Sequence, residues 1–355
     1  MGIFKDMLKS NETIFKNPIA LDYDFIPKIV PYREGEQKTI VSAIIPILQG
    51  RNGRNLFITG LPGIGKTLAT KKVLEELEEE TDEIIPIYIN CWNKNTTYKI
   101  LTTITEEIGY KFTQNKKTEE LLKIIKERIN QNAAVFVFDE IDKAEDLDFL
   151  YMLLEEIYKN SIILITNYKE WIINLEDRIK SRLTPEHIEF KPYNLEETKK
   201  ILKERTKTAF YEGVIEEEII NYIAQKTYKA KDIRRGLYLL KEAGNNAEEN
   251  SRKKILIEDV KKAEEKIIDF KIKKTEELKE EEKKILELIK KNDAKKIGQL
   301  YEIYTKQLEE EKKETISYKT FQRRIAKLEQ GKYITIKLLT GGKEGKTSII
   351  FYNSN

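Results

Sequence analysis

The residues that most clearly indicate a chemical function are the eight from Gly60 to Thr67, which read Gly-Leu-Pro-Gly-Ile-Gly-Lys-Thr. They match the pattern Gly, four residues, Gly-Lys-Ser/Thr, in which the glycines let backbone N–H groups close around phosphate oxygens. Lys66 is expected to reach the β and γ phosphates, and the Thr67 hydroxyl is expected to hold Mg²⁺. We therefore expect ATP or ADP with Mg²⁺ at one contiguous set: Gly60, Leu61, Pro62, Gly63, Ile64, Gly65, Lys66, Thr67 and Leu68.

Two adjacent carboxylates, Asp139 and Glu140, end an apolar run further along the chain. Asp139 is placed to hold Mg²⁺ through water, and Glu140 is placed to polarise the water that attacks a phosphoanhydride. Acidic residues at a strand end are common, so this pair gains its meaning from the phosphate loop that precedes it. Together they predict an ATPase site.

Further along the chain, one asparagine and two arginine clusters could also contact the phosphates. Asn167 comes after the next apolar run, where its side chain could contact the γ phosphate or orient the water, or could simply form a turn. Arginines cluster in Asp177–Leu183 and in Lys231–Leu237. Arginine stabilises charge on a transferring phosphoryl group, either within one subunit or from a neighbour. Surface salt bridging is the alternative for both clusters.

The elements that must position these groups alternate between strand and helix. Four apolar runs are predicted as buried strands: Asn55–Thr59, Ile84–Asn90, Ala133–Phe138 and Ser161–Thr166. Continuous apolar strands with crossover helices indicate an α/β fold with a parallel sheet covered on both faces. Residues 191–270 show helical periodicity alone, which predicts a second, helical domain. A polar stretch near Lys271–Thr275 then leads to three helical patterns and a hairpin, the order of a winged helix.

Composition excludes several other chemistries. One cysteine, Cys91, rules out an internal disulfide, and with a single histidine, His187, it leaves almost no ligands for zinc or for a histidine-based triad. No run of about 18 apolar residues is present, and the first residues are too charged for a signal peptide. We therefore expect a cytoplasmic protein with no membrane partner.

The basic charge lies near the carboxyl end. Net charge is +3, but residues 271–355 hold 21 Lys and Arg against 14 Asp and Glu. In the last predicted helix Phe321, Ile325 and Leu328 share one face, and Arg323 points away from it between two lysines. In a winged helix this element enters the major groove of duplex DNA. The candidate DNA-binding residues are Lys319, Arg323, Lys327 and, in the hairpin, Lys343 and Lys346. A protein-docking wing and a merely solvated face are the alternatives.

In combination these motifs resemble a known family. The order Gly60–Thr67, Asp139–Asp142, Asn167, Arg178–Pro185 and Asp232–Leu237 is similar to that of AAA+ ATPases of the initiator clade, and more narrowly of the archaeal origin-recognition and cell-division-control replication initiators. The segments Val30–Glu36 and Phe190–Glu197 resemble that family's adenine-side segment and its passage into the lid. The sequence departs from the family pattern at two places. Lys231 occupies a position that is usually glycine, and the phosphate loop reads Pro-Gly-Ile-Gly where Thr-Gly or a similar pair is commoner.

The resemblance implies an AAA+ phosphate-loop core with a parallel sheet, a helical lid and a carboxyl-terminal winged helix. The implied domains are an amino-terminal arm (1–20), predicted to be loose, a nucleotide-binding core (21–190), a lid (191–270) and a winged helix (276–355). It makes Asn167 sensor one, Arg234 sensor two and Arg182 the finger offered to a neighbouring nucleotide, with Arg178 and Arg235 as second choices. Further nucleotide contacts are implied at Pro31, Tyr32, Arg33 and Tyr193.

The leading functional hypothesis is an ATP-dependent initiator that binds origin duplex DNA and recruits or loads the replicative helicase, with slow ATP hydrolysis as a switch. Self-association or a paralogue on DNA is a further expected partnership, and the resemblance suggests a second DNA contact within Lys94–Lys117. Two rivals stay open: an AAA+ ATPase that remodels DNA over many turnovers, and a nucleotide-regulated DNA-binding regulator of promoters or mobile elements.

Overall fold

The computed structural model describes residues 13–276, 280–310, 315–330, 333–339 and 347–352. Contacts divide the chain into two units, Met1–Lys261 and Lys262–Asn355. Within the described ranges we find no helix with the length and apolar character needed to cross a membrane.

The first unit is built on a five-stranded sheet in which every pairing is parallel, as predicted. The strand order is β2-β3-β4-β1-β5, so the two ends of the sheet are β2 and β5. The strands are β1 (Leu56–Thr59), β2 (Ile84–Asn90), β3 (Ala133–Asp139), β4 (Asn160–Ile165) and β5 (Glu186–Glu189). The last of these was not predicted, because only Ile188 of its four residues is buried and it lacks an apolar run.

Helices cover both faces of this sheet and give it two apolar layers. They are α1 (Glu34–Leu48), α2 (Lys66–Glu80), α3 (Thr97–Glu107), α4 (Thr118–Ile129), α5 (Asp148–Glu156) and α6 (Asp177–Leu183). In β3, Phe136 and Phe138 pack into one layer while Val135 and Val137 pack into the other. Because successive side chains of a strand point to opposite faces, a strand buried on both sides reads as one continuous apolar run.

The rest of the first unit is helical, as predicted. Helix α7 (Leu195–Ala209) begins with a capping box in which Asn194 and Glu197 satisfy each other's backbone N–H groups. It is followed by α8 (Glu217–Ala230), α9 (Ile233–Glu249) and the start of α10 (Ile257–Glu276), whose residues after Lys261 belong to the second unit. The polar stretch Lys271–Thr275, expected to lead out of this domain, lies inside α10, so the helix continues to the end of the described segment.

The residues before the core contact the lid. Phe15 packs against Phe210 with ring centroids 4.9 Å apart, and the backbone N–H groups of Lys16 and Asn17 donate to the carbonyl oxygen of Ala209. The Thr13 hydroxyl donates to Glu248 at 2.6 Å. We call residues 13–21 the strap. The prediction of a loose arm is therefore wrong for this part of residues 1–20, while residues 1–12 lie outside the described residues.

The second unit packs three helices against a small antiparallel sheet. Its elements are α11 (Glu280–Lys291), β6 (Lys295–Lys296), α12 (Ile297–Glu310), α13 (Tyr318–Gln330), β7 (Ile334–Leu339) and β8 (Thr347–Tyr352). The strand order is β6-β8-β7. Phe321, Ile325 and Leu328 of α13 are fully buried, as their spacing predicted. Three helices followed by a hairpin is the expected order of a winged helix, and only the two-residue β6 was not foreseen.

Replacing Phe15 by alanine should destabilise the first unit. Phe15 is 7% exposed, and removal of a buried phenyl ring costs about 3 kcal/mol of the free energy of unfolding. Ile19→Ala is the matched control, since Ile19 belongs to the same strap but is 60% exposed. Both tryptophans, Trp92 and Trp171, lie in the first unit, so tryptophan fluorescence during urea unfolding reports on it. Equal midpoints for the two variants would contradict a stabilising strap.

Candidate functional site

The phosphate loop joins β1 to α2, which places its backbone N–H groups at a helix N-terminus, where anions are stabilised. Gly65 precedes α2 with φ of 92°, a conformation that side-chain-bearing residues rarely adopt. A Cβ atom at this position would also lie 2.9 Å from the Tyr193 hydroxyl. The loop therefore needs glycine here both for its backbone angle and for the close approach of Tyr193.

Lys66 lies at the centre of the site. Its ammonium donates to the carbonyl oxygens of Gly60 and Leu61 at 2.8 and 2.9 Å and to Asn167 Oδ1 at 2.8 Å. Burial lowers the pKa of Lys66 to about 8, against the opposing effect of the Asp139 carboxylate. The structure thus brings Asn167 and Lys66 together, as required of groups that share one phosphate.

Asp139 ends β3 and accepts three hydrogen bonds. Thr67 Oγ1 and the Tyr88 hydroxyl donate to its Oδ2 atom at 2.5 and 2.7 Å, and the Glu140 N–H donates to Oδ1 at 2.8 Å. A hydroxyl and a carboxylate are the oxygen ligands that Mg²⁺ prefers, so the donors present fit that ion. Glu140 itself has φ of 51°, a strained backbone conformation of the kind found at functional sites.

Tyr88 is a member of this site that the sequence did not reveal. It lies in the apolar strand β2, opposite Val137, and so reads as a core residue. Its hydroxyl nevertheless reaches Asp139, and burial followed by that negative charge raises the tyrosine pKa above its ordinary value. Tyr88 therefore stays protonated and holds one carboxylate oxygen in place.

Arg33 supports the loop from behind. Its guanidinium is buried, donates to the carbonyl oxygens of Ile64 and Lys191, and lies 4.0 Å from the centroid of the Tyr193 ring. Arg33 and Tyr193 thus fasten the loop to the passage into the lid. Of the other expected nucleotide contacts, Pro31 and Tyr32 lie just before α1, and Leu68 packs in the first turn of α2.

The lid contacts the phosphate loop through the start of α9. The Ile233 N–H, at the start of α9, donates to the carbonyl oxygen of Gly63 at 3.1 Å. Arg234 follows it, and after burial the positive charge of Arg234 is a further cause of the low Lys66 pKa. Lys231 has φ of 53°, which explains why glycine is usual there. The structure therefore places Arg234 near the loop, where its side chain pairs with Asp232.

The candidate finger, Arg182, lies elsewhere on the core. It pairs with Glu155 and lines a cavity with Asn55 and Asn160, at the amino-terminal ends of β1 and β4. The phosphate loop follows the carboxyl end of β1, so Arg182 lies at the opposite edge of the sheet. Arg178, one turn earlier on the same helix, pairs with Asp148 and Glu176.

The predicted DNA-binding residues of the second unit are only partly described. Lys319 and Arg323 are exposed on α13. The Lys327 ammonium donates to the buried Glu282 at 2.7 Å, which neutralises part of its charge. Lys343 and Lys346 lie outside the described residues.

A parallel sheet with a phosphate loop after β1 and an acidic pair at the end of β3, followed by a helical lid, defines an AAA+ ATPase. Family models agree, since the AAA domain matches residues 49–170 and the Cdc6 AAA+ ATPase-type lid domain matches residues 199–265.

Relatives identify the family within this class. The chain is 34% identical over 357 residues to ORC1-type DNA replication protein 1 of Sulfurisphaera tokodaii, a match that covers 95% of this chain and 90% of the relative. It is 30% identical to the ORC1-type DNA replication protein of Pyrococcus furiosus, covering 99% and 90%. The solved structure of the Aeropyrum pernix ORC1 protein in complex with DNA matches with a TM-score of 0.72 at 26% identity, covering 98% and 95% of the two chains. The chain belongs to the ORC1-type DNA replication protein family, as the resemblance predicted.

The low pKa of Lys66 predicts that MgATP binding is coupled to proton uptake, and that this uptake increases with pH. Phosphate oxygens beside the ammonium favour its charged form, so MgATP binding should raise this pKa and take up protons. At pH 8.5 we expect uptake of about 0.7 proton per ATP, and at pH 7 only about 0.1, because the free lysine is already charged there. Calorimetric titration in two buffers with different ionisation heats measures this uptake. The absence of proton uptake at pH 8.5 would contradict contact between Lys66 and the phosphates.

Proposed function

We propose that this protein is an ATP-controlled DNA replication initiator that binds origin duplex DNA and recruits or loads the replicative helicase. The observation that carries the proposal is a phosphate loop that is hydrogen-bonded to the lid, in a chain related along nearly its whole length to ORC1-type replication proteins. The DNA bound to the Aeropyrum pernix ORC1 protein supports DNA as the partner.

ATP or ADP is proposed to bind with its phosphates on the loop, beside Lys66. Thr67 and Asp139 would hold Mg²⁺, which supplies charge neutralisation to the phosphates when bound. Glu140 would polarise the attacking water, Asn167 would orient it, and Arg234 would contact the terminal phosphate from the lid. The contacts among Lys66, Asn167, Thr67 and Asp139 support this assignment.

Slow hydrolysis would act as a switch through the lid. Because the Ile233 N–H is hydrogen-bonded to Gly63, a change in the loop's conformation would shift the start of α9. The strap is hydrogen-bonded to Glu248 near the other end of that helix, so it would move with the lid. Arg182, at the opposite edge of the sheet, would serve the nucleotide of a second copy or a paralogue on DNA.

Duplex DNA would be held by the proposed winged helix, residues 276–355, beyond the proposed arm (1–20), core (21–190) and lid (191–270). The exposed face of α13 would enter the major groove, where arginine pairs with guanine and lysines hold phosphates. Lys319, Arg323 and Lys327 are the residues assigned to it, with Lys343 and Lys346 on the wing. A second contact is proposed within Lys94–Lys117.

Lys66→Ala should abolish ATP binding, because the loop loses its only charged side chain, which also donates a hydrogen bond to Asn167. Lys72→Ala is the control, since Lys72 lies on the same helix but pairs with Glu75. Titration with a fluorescent ATP analogue measures both variants. Normal affinity in the Lys66 variant would refute the phosphate-loop assignment.

Arg323→Ala should weaken binding to origin duplex DNA about tenfold and reduce the salt dependence of binding. Lys306→Ala, which removes one exposed charge from α12 in the same unit, should leave affinity unchanged. Fluorescence anisotropy with labelled DNA at two salt concentrations measures both effects. If both variants bind like the unmodified protein, α13 is not the DNA-binding helix.

A further inference from the structure

Asp232 brings a negative charge against the phosphate loop. A Cβ atom built on Gly63 would lie 1.8 Å from Asp232 Oδ1 and 2.3 Å from its Cγ atom, so the carboxylate packs directly on the glycine. The neighbouring Ile233 N–H donates to the Gly63 carbonyl oxygen and holds this part of the lid there. An acidic side chain is thus fixed beside a loop whose N–H groups suit anions.

The same carboxylate engages Arg234 with both oxygens. Arg234 Nε donates to Oδ1 at 3.0 Å and Nη2 donates to Oδ2 at 2.8 Å. Asp232 also caps α9, because Oδ1 accepts the backbone N–H of Arg234 at 2.9 Å. The pair is open to solvent, with the Arg234 side chain 49% exposed and that of Asp232 29% exposed, so a ligand can reach it.

We propose that Asp232 competes with the terminal phosphate of ATP for Arg234. The Asp232 carboxylate holds the Arg234 guanidinium, and this ion pair must break, at least in part, when the phosphate binds. This rests on the proposed function, in which Arg234 contacts the terminal phosphate. Asp232 thereby sets how strongly the protein distinguishes ATP from ADP.

The physical basis is the sign of the charges. Arg234 lies within electrostatic range of Lys66 and Glu140, and so within range of the phosphates that Lys66 would hold. A carboxylate at the loop repels those phosphates and attracts the arginine that should bind them. The terminal phosphate of ATP adds the charge nearest this pair, whereas ADP lacks it. Exchange of Arg234 between the two anions would therefore link the γ phosphate to the first turn of α9.

The test uses a substitution that keeps the cap and removes the charge. Asparagine caps helices about as well as aspartate, so Asp232→Asn in the full chain should preserve α9. We expect ATP to bind about tenfold more tightly, equivalent to about 1.4 kcal/mol, and ADP only about twofold more tightly. The gain in ATP affinity should shrink at high salt, because screening weakens charge repulsion.

Glu217→Gln is the matched control. It removes the same charge from the first turn of another lid helix, α8, where Glu217 pairs with Lys199 and Lys203. We expect unchanged ATP and ADP affinities. Circular dichroism and thermal unfolding of the Asp232 variant, compared with those of Asp232→Ala, verify that the cap survives in the asparagine variant and is lost in the alanine variant.

Calorimetric titration with ATP and with ADP measures these affinities, and each outcome supports or overturns the proposal. Tighter ATP binding by the Asp232→Asn variant, beyond any change for ADP, supports competition between Asp232 and the terminal phosphate. Equal or weaker ATP binding by a folded variant overturns it, and weaker binding would mean that Asp232 orients Arg234 instead. If the unmodified protein binds neither nucleotide, the proposed function itself fails, so the two failures are distinguishable.

Discussion

The hydrogen bond from Ile233 to the carbonyl oxygen of Gly63 is the contact on which the nucleotide site depends. The core alone supplies Lys66, Asp139 and Asn167, which lie at the carboxyl edge of the sheet. Arg234, the arginine proposed to contact the terminal phosphate, is added by the lid because the start of α9 is held against the loop. The site is thus a junction between two parts of one unit, and its geometry depends on how they meet.

Contacts behind the loop make this junction rigid on the core side. Arg33 grips the Ile64 carbonyl oxygen and stacks on Tyr193, while Tyr88 and Thr67 share one oxygen of Asp139. On the lid side, the strap is fastened to α7 and α9 through Phe210 and Glu248. Rigid parts that meet at a charged contact suit a switch, since a small change at the contact moves a whole domain.

The sequence predicted the centre of the site better than its surroundings. Lys66, Thr67 and Asp139 stand in local patterns whose chemistry is fixed by spacing, and four strands are continuous apolar runs. Tyr88 was missed because a tyrosine within such a run is indistinguishable from a core residue. The strap was missed because Thr13 and Glu248 are 235 positions apart, and no local pattern reports a contact across that separation.

The central claim, that this ORC1-type protein acts at replication origins, is tested most directly by mapping where the tagged chain lies on its own chromosome. The account predicts a few sharp peaks that coincide with the points where replication starts, and those peaks would also define the DNA element. Broad or promoter-centred occupancy would contradict it, and would assign the AAA+ core and the basic helix to remodelling or regulation instead.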